Sequence, residues 1–498
     1  MTANNDIYKA AAKQLVLIVL VMALGRLTHG AALAIFVAAG CWAALTNKTG
    51  FALTMFILFP AIVVMNGVLF PKTGLTAHAL RFGVLLIGLC LALVSSRRRG
   101  AFCLPLMGLF VYSMYMFLPS SVGYCPSISF VKLVNFIVFL SGIAFGVRNL
   151  QNHPRELACL RTVLLALVIF FVVGSILVYP FPGISTLQGV AMTKGPEGAD
   201  VGEASLRMKE MEQAGLFCGM FFQSQTLSGV LSCCFAWTVC DMLFVERRFR
   251  WPHVVLIILQ PILIFLSRSR MGLLSIGMFS VVITLYTLHR IRLSSAIKQR
   301  IRSMMMVGFV LLVVVGGVAE VRSRTITRWI RKTDDLSSDS RGLTEAVTES
   351  RMGLIEKTMS EFRYNPLLGC GFQVEAWHSG YAKGIKGLIL SAPIEKGLLP
   401  MMVLGESGVV GSLIFWAFIL HFCSVCVRRR YIVTLTLFWT FFATNIGEAT
   451  FFSPGGPGGI EWMYTVVGGF VIDTILYAQR SCVFMASPYY SQNFRQTF

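Results

Sequence analysis

Charge is scarce in this 498-residue chain: Asp, Glu, Lys and Arg make up 13% of it, against about 25% in a soluble globular protein. A surface wetted on every side cannot be built from so few charges. The seven His and thirteen Cys form no metal-ligand set. No Walker sequence and no nucleotide-binding glycine loop occurs, so neither ATP nor a nucleotide-sugar is an evident energy source. Acidic residues are the scarcest charges, 23 against 43 basic, for a net charge of +20. In a soluble protein that excess would suggest nucleic acid; here much of it falls in short loops between apolar runs. What the chain has in plenty is apolar surface, 56% of its residues, in runs near the roughly 20 residues that cross a bilayer. The fold class this predicts is all-α, a polytopic transmembrane helix bundle. Soluble enzyme folds, outer-membrane barrels and secreted disulfide scaffolds are excluded.

About fourteen spans (12–14) are expected, near 12–26, 30–46, 51–70, 78–95, 101–118, 128–147, 160–179, 224–244, 252–267, 271–289, 303–321, 403–427, 431–446 and 460–478. The first imitates a signal peptide but lacks a small-x-small cleavage site, and reads as an anchor. Five basic loops carry Arg97–Arg99; Arg148, Arg155 and Arg161; Arg247, Arg248 and Arg250; Arg290 to Arg302; and Arg428–Arg430. Alternating spans put all five on one side, the cytoplasm by the positive-inside rule, with both termini there. The expected organisation is N-terminal helices (1–178), an outer loop (179–223), helices with a tight turn (224–321), a large, partly helical outer loop (322–402) and the last helices with a cytoplasmic tail (403–498). Cys233, Cys234, Cys240 and Cys426 read as packing residues. Cys125 and Cys370 fall in outer loops where a disulfide is chemically permitted, and the reading favours free thiols.

The polar chemistry is then expected outside. Ser267-Arg268-Ser269-Arg270 is a tight outer turn whose two arginines run against the orientation rule. Guanidinium forks hold phosphate or carboxylate oxygens bidentately; snorkelling to lipid headgroups is the alternative. Residues 344–364 read as a helix outside the membrane, with an apolar stripe of Val347, Leu354, Ile355, Met359 and Phe362. Arg351 lies on that stripe, where it meets either a bound anion or a structural carboxylate. Asn365-Pro366 ends the helix, and Gly369 and Gly371 permit a tight turn. In the first outer loop, Arg207 precedes an apolar segment and the tetrad Gln223-Ser224-Gln225-Thr226, which either binds a sugar or caps a helix at Ser224. Asn445 and Glu448 sit at the outer edge of a span, where a carboxylate defaults to a functional reading.

These pieces together resemble the O-antigen ligase and polysaccharide polymerase superfamily of bacterial inner-membrane glycosyltransferases. Leu266–Gly272 is similar to its Ser-x-Ser-Arg/Gly turn. Arg351 through Asn365-Pro366-Leu367-Leu368-Gly369-Cys370-Gly371 is similar to its Arg…NPLLGxG stretch, and Gly405-Glu406-Ser407-Gly408-Val409-Val410-Gly411 to its ExGxxG entry. Gly215-Leu216-Phe217 through Leu227 is similar to its GLF opening of an earlier span. The likeness covers mainly residues 205–430. It implies a donor glycan on undecaprenyl pyrophosphate, a reaction at the outer membrane face, and no cofactor, nucleotide or metal. It implies that Arg268, Arg270 and Arg351 hold the pyrophosphate; the sugar-binding reading of the first outer loop, separate from the likeness, would put Arg207, Gln223 and Gln225 on the substrate. Implied partners are membrane lipid and other assembly proteins, namely a chain-length regulator and a flippase, with no nucleic acid.

One departure matters. Ligases of this family carry a His about ten residues before ExGxxG; here that region reads Pro393-Ile394-Glu395-Lys396-Gly397. Glu395 is then either the general base, with His378 and Glu448 as alternatives, or, with Lys396, a partner of other charges. The missing His favours a chain polymerase over a ligase or protein O-oligosaccharyltransferase. A lipid-linked glycan transporter is the remaining expectation, weakened by the absence of an internal repeat.

Overall fold

A computed structural model describes residues 6–70, 74–96, 104–150, 153–186, 216–246, 250–290, 355–356, 358–374, 398–447 and 449–485. The described residues are helical throughout, with only two isolated β-bridges, Met65 to Phe221 and Thr186 to Phe217. The helices are α1 (Asp6–Leu27), α2 (Ala31–Leu45), α3 (Thr49–Val63), α4 (Gly74–Ser96), α5 (Met107–Tyr115), α6 (Phe117–Val122), α7 (Pro126–Leu150), α8 (Pro154–Val178), the single turn α9 (Pro182–Ser185), α10 (Ser224–Cys240), α11 (Trp251–Leu266), α12 (Arg270–Arg290), α13 (Leu399–Arg429), α14 (Ile432–Gly447), α15 (Pro457–Trp462) and α16 (Gly468–Met485). Among the described residues, seven helical stretches are long and apolar enough to cross a membrane. Their surface agrees: Ile35, Leu177, Leu413 and Leu420 are each at least 66% exposed, an apolar exterior that lipid tolerates and water does not. This is a polytopic helical membrane bundle.

The predicted apolar runs fall on these helices, except 303–321, which lies outside the described residues. The run 51–70 is corrected: its helix stops at Val63. Asn66 explains the stop, because its Oδ1 accepts the amides of Val68 (3.0 Å) and Leu69 (2.9 Å), a local turn that competes with helix. At the centre stands α10, in which every residue but Gln225 and Val239 is buried. Phe415, Phe438, Phe441, Phe451, Phe452 and Trp462 pack ring against ring between α13, α14 and α15.

Contacts sort the helix ends onto two faces, as alternation requires. On one face Arg26 donates to the Leu69 carbonyl (3.0 Å), Asn66 Nδ2 to that of Ile184 (2.7 Å) and the Tyr124 amide to that of Cys370 (3.1 Å). On the other, the Gly50 amide donates to Glu156 (2.6 Å) and Asn149 to Thr49 (2.6 Å). There too Asp473 takes the Thr434 amide (2.9 Å), capping α14 from a neighbouring helix. The second face carries Lys48, Arg148, Arg155, Arg250, Arg428 and Arg429. Cys125, Cys370, Cys423 and Cys426 are all free thiols.

Candidate functional site

The arginine turn lies on the first face, and its geometry follows from its serines. Ser267 closes α11, its hydroxyl donating to the Ile264 carbonyl (2.7 Å). Ser269 caps α12 by accepting the Gly272 amide at 3.4 Å. Between them Arg268 takes φ +51°, the left-handed region that a residue with a Cβ adopts at a penalty of roughly 1–2 kcal/mol. The turn is bolted to α10: the Ser228 hydroxyl donates to Ser269 Oγ (2.6 Å). Ser232 Oγ lies 2.7 Å from the Ser228 carbonyl and 3.2 Å from that of Gly272. Arg268 and Arg270 flank this anchor and are half-buried, each held in further contacts.

Gln225 lies one helical turn nearer the surface than Ser228, on the same side of α10, and is half-buried. The arginine turn therefore meets α10 at Ser228, one helical turn in from the polar tetrad read from a separate part of the sequence. Ser224 is corrected: it is the first helical residue, the cap position belongs to Gln223, and no side chain caps the end. The amides opening α10 are thus left to other partners, and they carry the positive end of the helix dipole. Arg351, Glu395, His378, Glu448 and Arg207 lie outside the described residues.

The two glycine-rich stretches also meet. The helical stretch 358–364 ends where Asn365 Oδ1 accepts the Leu368 amide (3.1 Å). The chain then crosses α13, which is broken at Gly408 (φ 63°, ψ −167°). The break frees two carbonyls and two amides, and all four are used. Cys370 N donates to Gly405 O and Gly371 N to Glu406 O (3.0 Å each); Val409 N donates to Pro366 O (2.9 Å) and Val410 N to Leu367 O (3.4 Å). Glycines let the backbones touch: a Cβ on Gly369 would stand 2.3 Å from the Glu406 carbonyl carbon, and one on Gly408 2.3 Å from the Leu367 oxygen. Past the crossing, Gln373 donates to the Phe452 carbonyl and receives Lys132 Nζ on its own (3.0 Å). Of the expected apolar stripe of 344–364, Val347 and Leu354 lie outside the described residues. Ile355, Met359 and Phe362 are only half-buried, whereas Thr358 and Glu361 face inward.

Sequence reasoning missed three groups of buried charge. Lys132, Glu361 and Glu406 surround the crossing, each at most 2% exposed. Glu461, in α15, is taken up below. The third is on the opposite face. Arg161 holds Asp241 through Nε (2.6 Å) and Nη2 (2.9 Å), and Glu246 through Nη2 (2.5 Å). Arg250 closes on Glu246 (2.6 Å), His253 Nε2 lies 3.1 Å from Asp241, and Tyr8 lies 2.5 Å from His253 Nδ1. The segment Asp241–Glu246 is π-helical, whose i→i+5 winding aims both carboxylates at one arginine. Arg161 is therefore a buried ion-pair partner inside α8, correcting its assignment to a loop. Asp241→Asn is expected to destabilise the protein by about 1–3 kcal/mol, because Arg161 is left with Glu246 alone as its carboxylate partner at a site where Asp241 is fully buried. Thermal unfolding in detergent measures this, and an unchanged midpoint would contradict a structural role.

No known protein-family model matches this chain, and no curated protein matches it.

Proposed function

We propose that this chain polymerises a cell-surface or secreted polysaccharide at the outer face of the bacterial inner membrane. It transfers a glycan from undecaprenyl pyrophosphate to the end of an acceptor glycan. About fourteen spans, cytoplasmic termini and an outward-facing arginine turn belong to the same reading. The arginine turn carries it: Arg268 and Arg270 stand in a turn whose backbone is held by Ser267 and Ser269 and tied through Ser228 to α10, a helix whose start has no side-chain cap. Rigid forks and a helix N-terminus both select phosphate oxygens. In the reaction the acceptor hydroxyl attacks the anomeric carbon, the bond from that carbon to pyrophosphate breaks, and the electron pair leaves with the lipid. Charge developing on the departing pyrophosphate is where a preorganised donor accelerates transfer, by roughly 10²–10³-fold each. Arg351 is the third cation of this site, and Arg207, Gln223 and Gln225 contact the substrate. The acceptor's proton needs a base, for which the sequence offers Glu395, His378 and Glu448. The basic residues gathered on the opposite face suit the cytoplasm.

Arg268→Ala, Arg270→Ala and Arg351→Ala are each expected to abolish polymer while the protein stays in the membrane. Deleting the gene is expected to leave single repeat units on their lipid at the outer face of the inner membrane. Normal polymer from all three variants, or repeats trapped inside, would reject the reading; intact chains missing only their lipid anchor would point to ligation.

A further inference from the structure

Resting on that reading of the arginine turn, we propose that Glu461 is the general base that takes the acceptor's proton. Glu461 sits one turn into α15, 2% exposed within a membrane-spanning stretch. A carboxylate there is costly to bury and points to function. Among the described residues it forms no salt bridge, and Thr450 is its one hydrogen-bond donor, with Thr450 Oγ1 2.6 Å from Oε2. Thr450 Oγ1 also lies 3.2 Å from Asn445 Oδ1. The other oxygen lies against α10, where Gly229 makes room: a Cβ at that position would stand 2.2 Å from Oε1. Gly229 is the neighbour in sequence of Ser228, which holds the arginine turn. The first two turns of α10 thus have the guanidinium turn on one flank and this carboxylate on the next. A leaving pyrophosphate on one side and a proton acceptor on the other is the arrangement that a single displacement at an anomeric carbon needs.

The Thr450 hydroxyl marks where the sugar hydroxyl binds, since it already makes the bond that the attacking O–H would make. In the proposed step that O–H gives its proton to Glu461, the oxygen bonds the anomeric carbon, and the bond to pyrophosphate breaks. Glu461 then returns the proton to water. Sequence reading reached this neighbourhood through Asn445 and chose Glu448 instead.

The test uses the full-length protein in liposomes with two probes: undecaprenyl pyrophosphate for donor-site binding, and lipid-linked repeat units extracted from a deletion strain for transfer. Glu461→Gln is expected to bind undecaprenyl pyrophosphate within about 2-fold of wild type while transfer falls at least about 100-fold. Should Glu461→Gln fail to fold, Glu461→Asp keeps the charge but draws it back by one methylene, and is expected to lose about 10-fold in transfer with binding intact. Wild-type transfer by either folded variant would overturn the assignment. Failure of the underlying reading looks different: Arg268→Ala would then bind undecaprenyl pyrophosphate as wild type does.

Discussion

Replacing Arg268 with glycine is expected to give a protein at least as stable as wild type that makes no polymer. At φ +51° the arginine backbone is strained, and glycine adopts that conformation without a Cβ penalty. The substitution is therefore expected to raise thermal stability, by up to about 1 kcal/mol. Stability and function part company here because the turn's hold on α10 runs through Ser228 and Ser269, which the change leaves alone. Arg268→Lys keeps the charge and the strain but loses the planar fork, and is expected to fall well below wild type in activity. Polymer per unit of membrane protein, alongside the unfolding midpoint in detergent, reads both quantities. An active Arg268→Gly protein would remove the guanidinium from the account.

Gly408→Ala is expected to have the opposite signature, loss of the folded protein itself. Its conformation, φ 63° with ψ −167°, is open essentially to glycine alone. The new methyl would also meet the Leu367 carbonyl carbon at 2.4 Å. Separating the backbones to relieve that clash breaks some or all of the crossing's four hydrogen bonds, each worth about 1 kcal/mol. With backbone strain of about 1–3 kcal/mol, a loss of several kcal/mol follows. Gly369→Ala strikes the same crossing from its other strand, at φ +77°, and should act alike. Because both changes open one structure, the double variant is expected to be little worse than the worse single one. Yield of monodisperse protein from detergent measures this. Full additivity would mean that the two glycines act separately.

The crossing shows where sequence reading succeeds and where it stops. Asn365-Pro366 announces the end of a helix because backbone sterics are local, and Tyr364 is the last helical residue before it. That Gly369 and Gly408 let these two segments touch is invisible locally, since the glycines stand 39 positions apart. The arginine turn was legible for a local reason: four polar residues between two apolar runs leave no other conformation. The Arg161–Asp241–Glu246 group was not, because one arginine near the end of a loop looks like an orientation signal until a π-helical segment brings two acids to it. Glu461 was overlooked although the expected span 460–478 contains it, because at second place in that span it reads as an edge residue, whereas α15 begins at Pro457 and buries it. In the described part of the expected stripe, Ile355, Met359 and Phe362 are half-buried while the polar Thr358 and Glu361 are buried, a placement that polarity alone does not predict.

The central claim is that the fixed guanidinium groups act on a lipid pyrophosphate, and reconstituted transfer tests it most directly. Purified protein in liposomes, given lipid-linked repeat units and no nucleotide, is expected to yield a ladder of lengthening glycans and free undecaprenyl pyrophosphate. The same preparation of Arg268→Gly should yield neither. Donor left intact by a folded wild-type protein, or a ladder undiminished in the variant, would contradict the account.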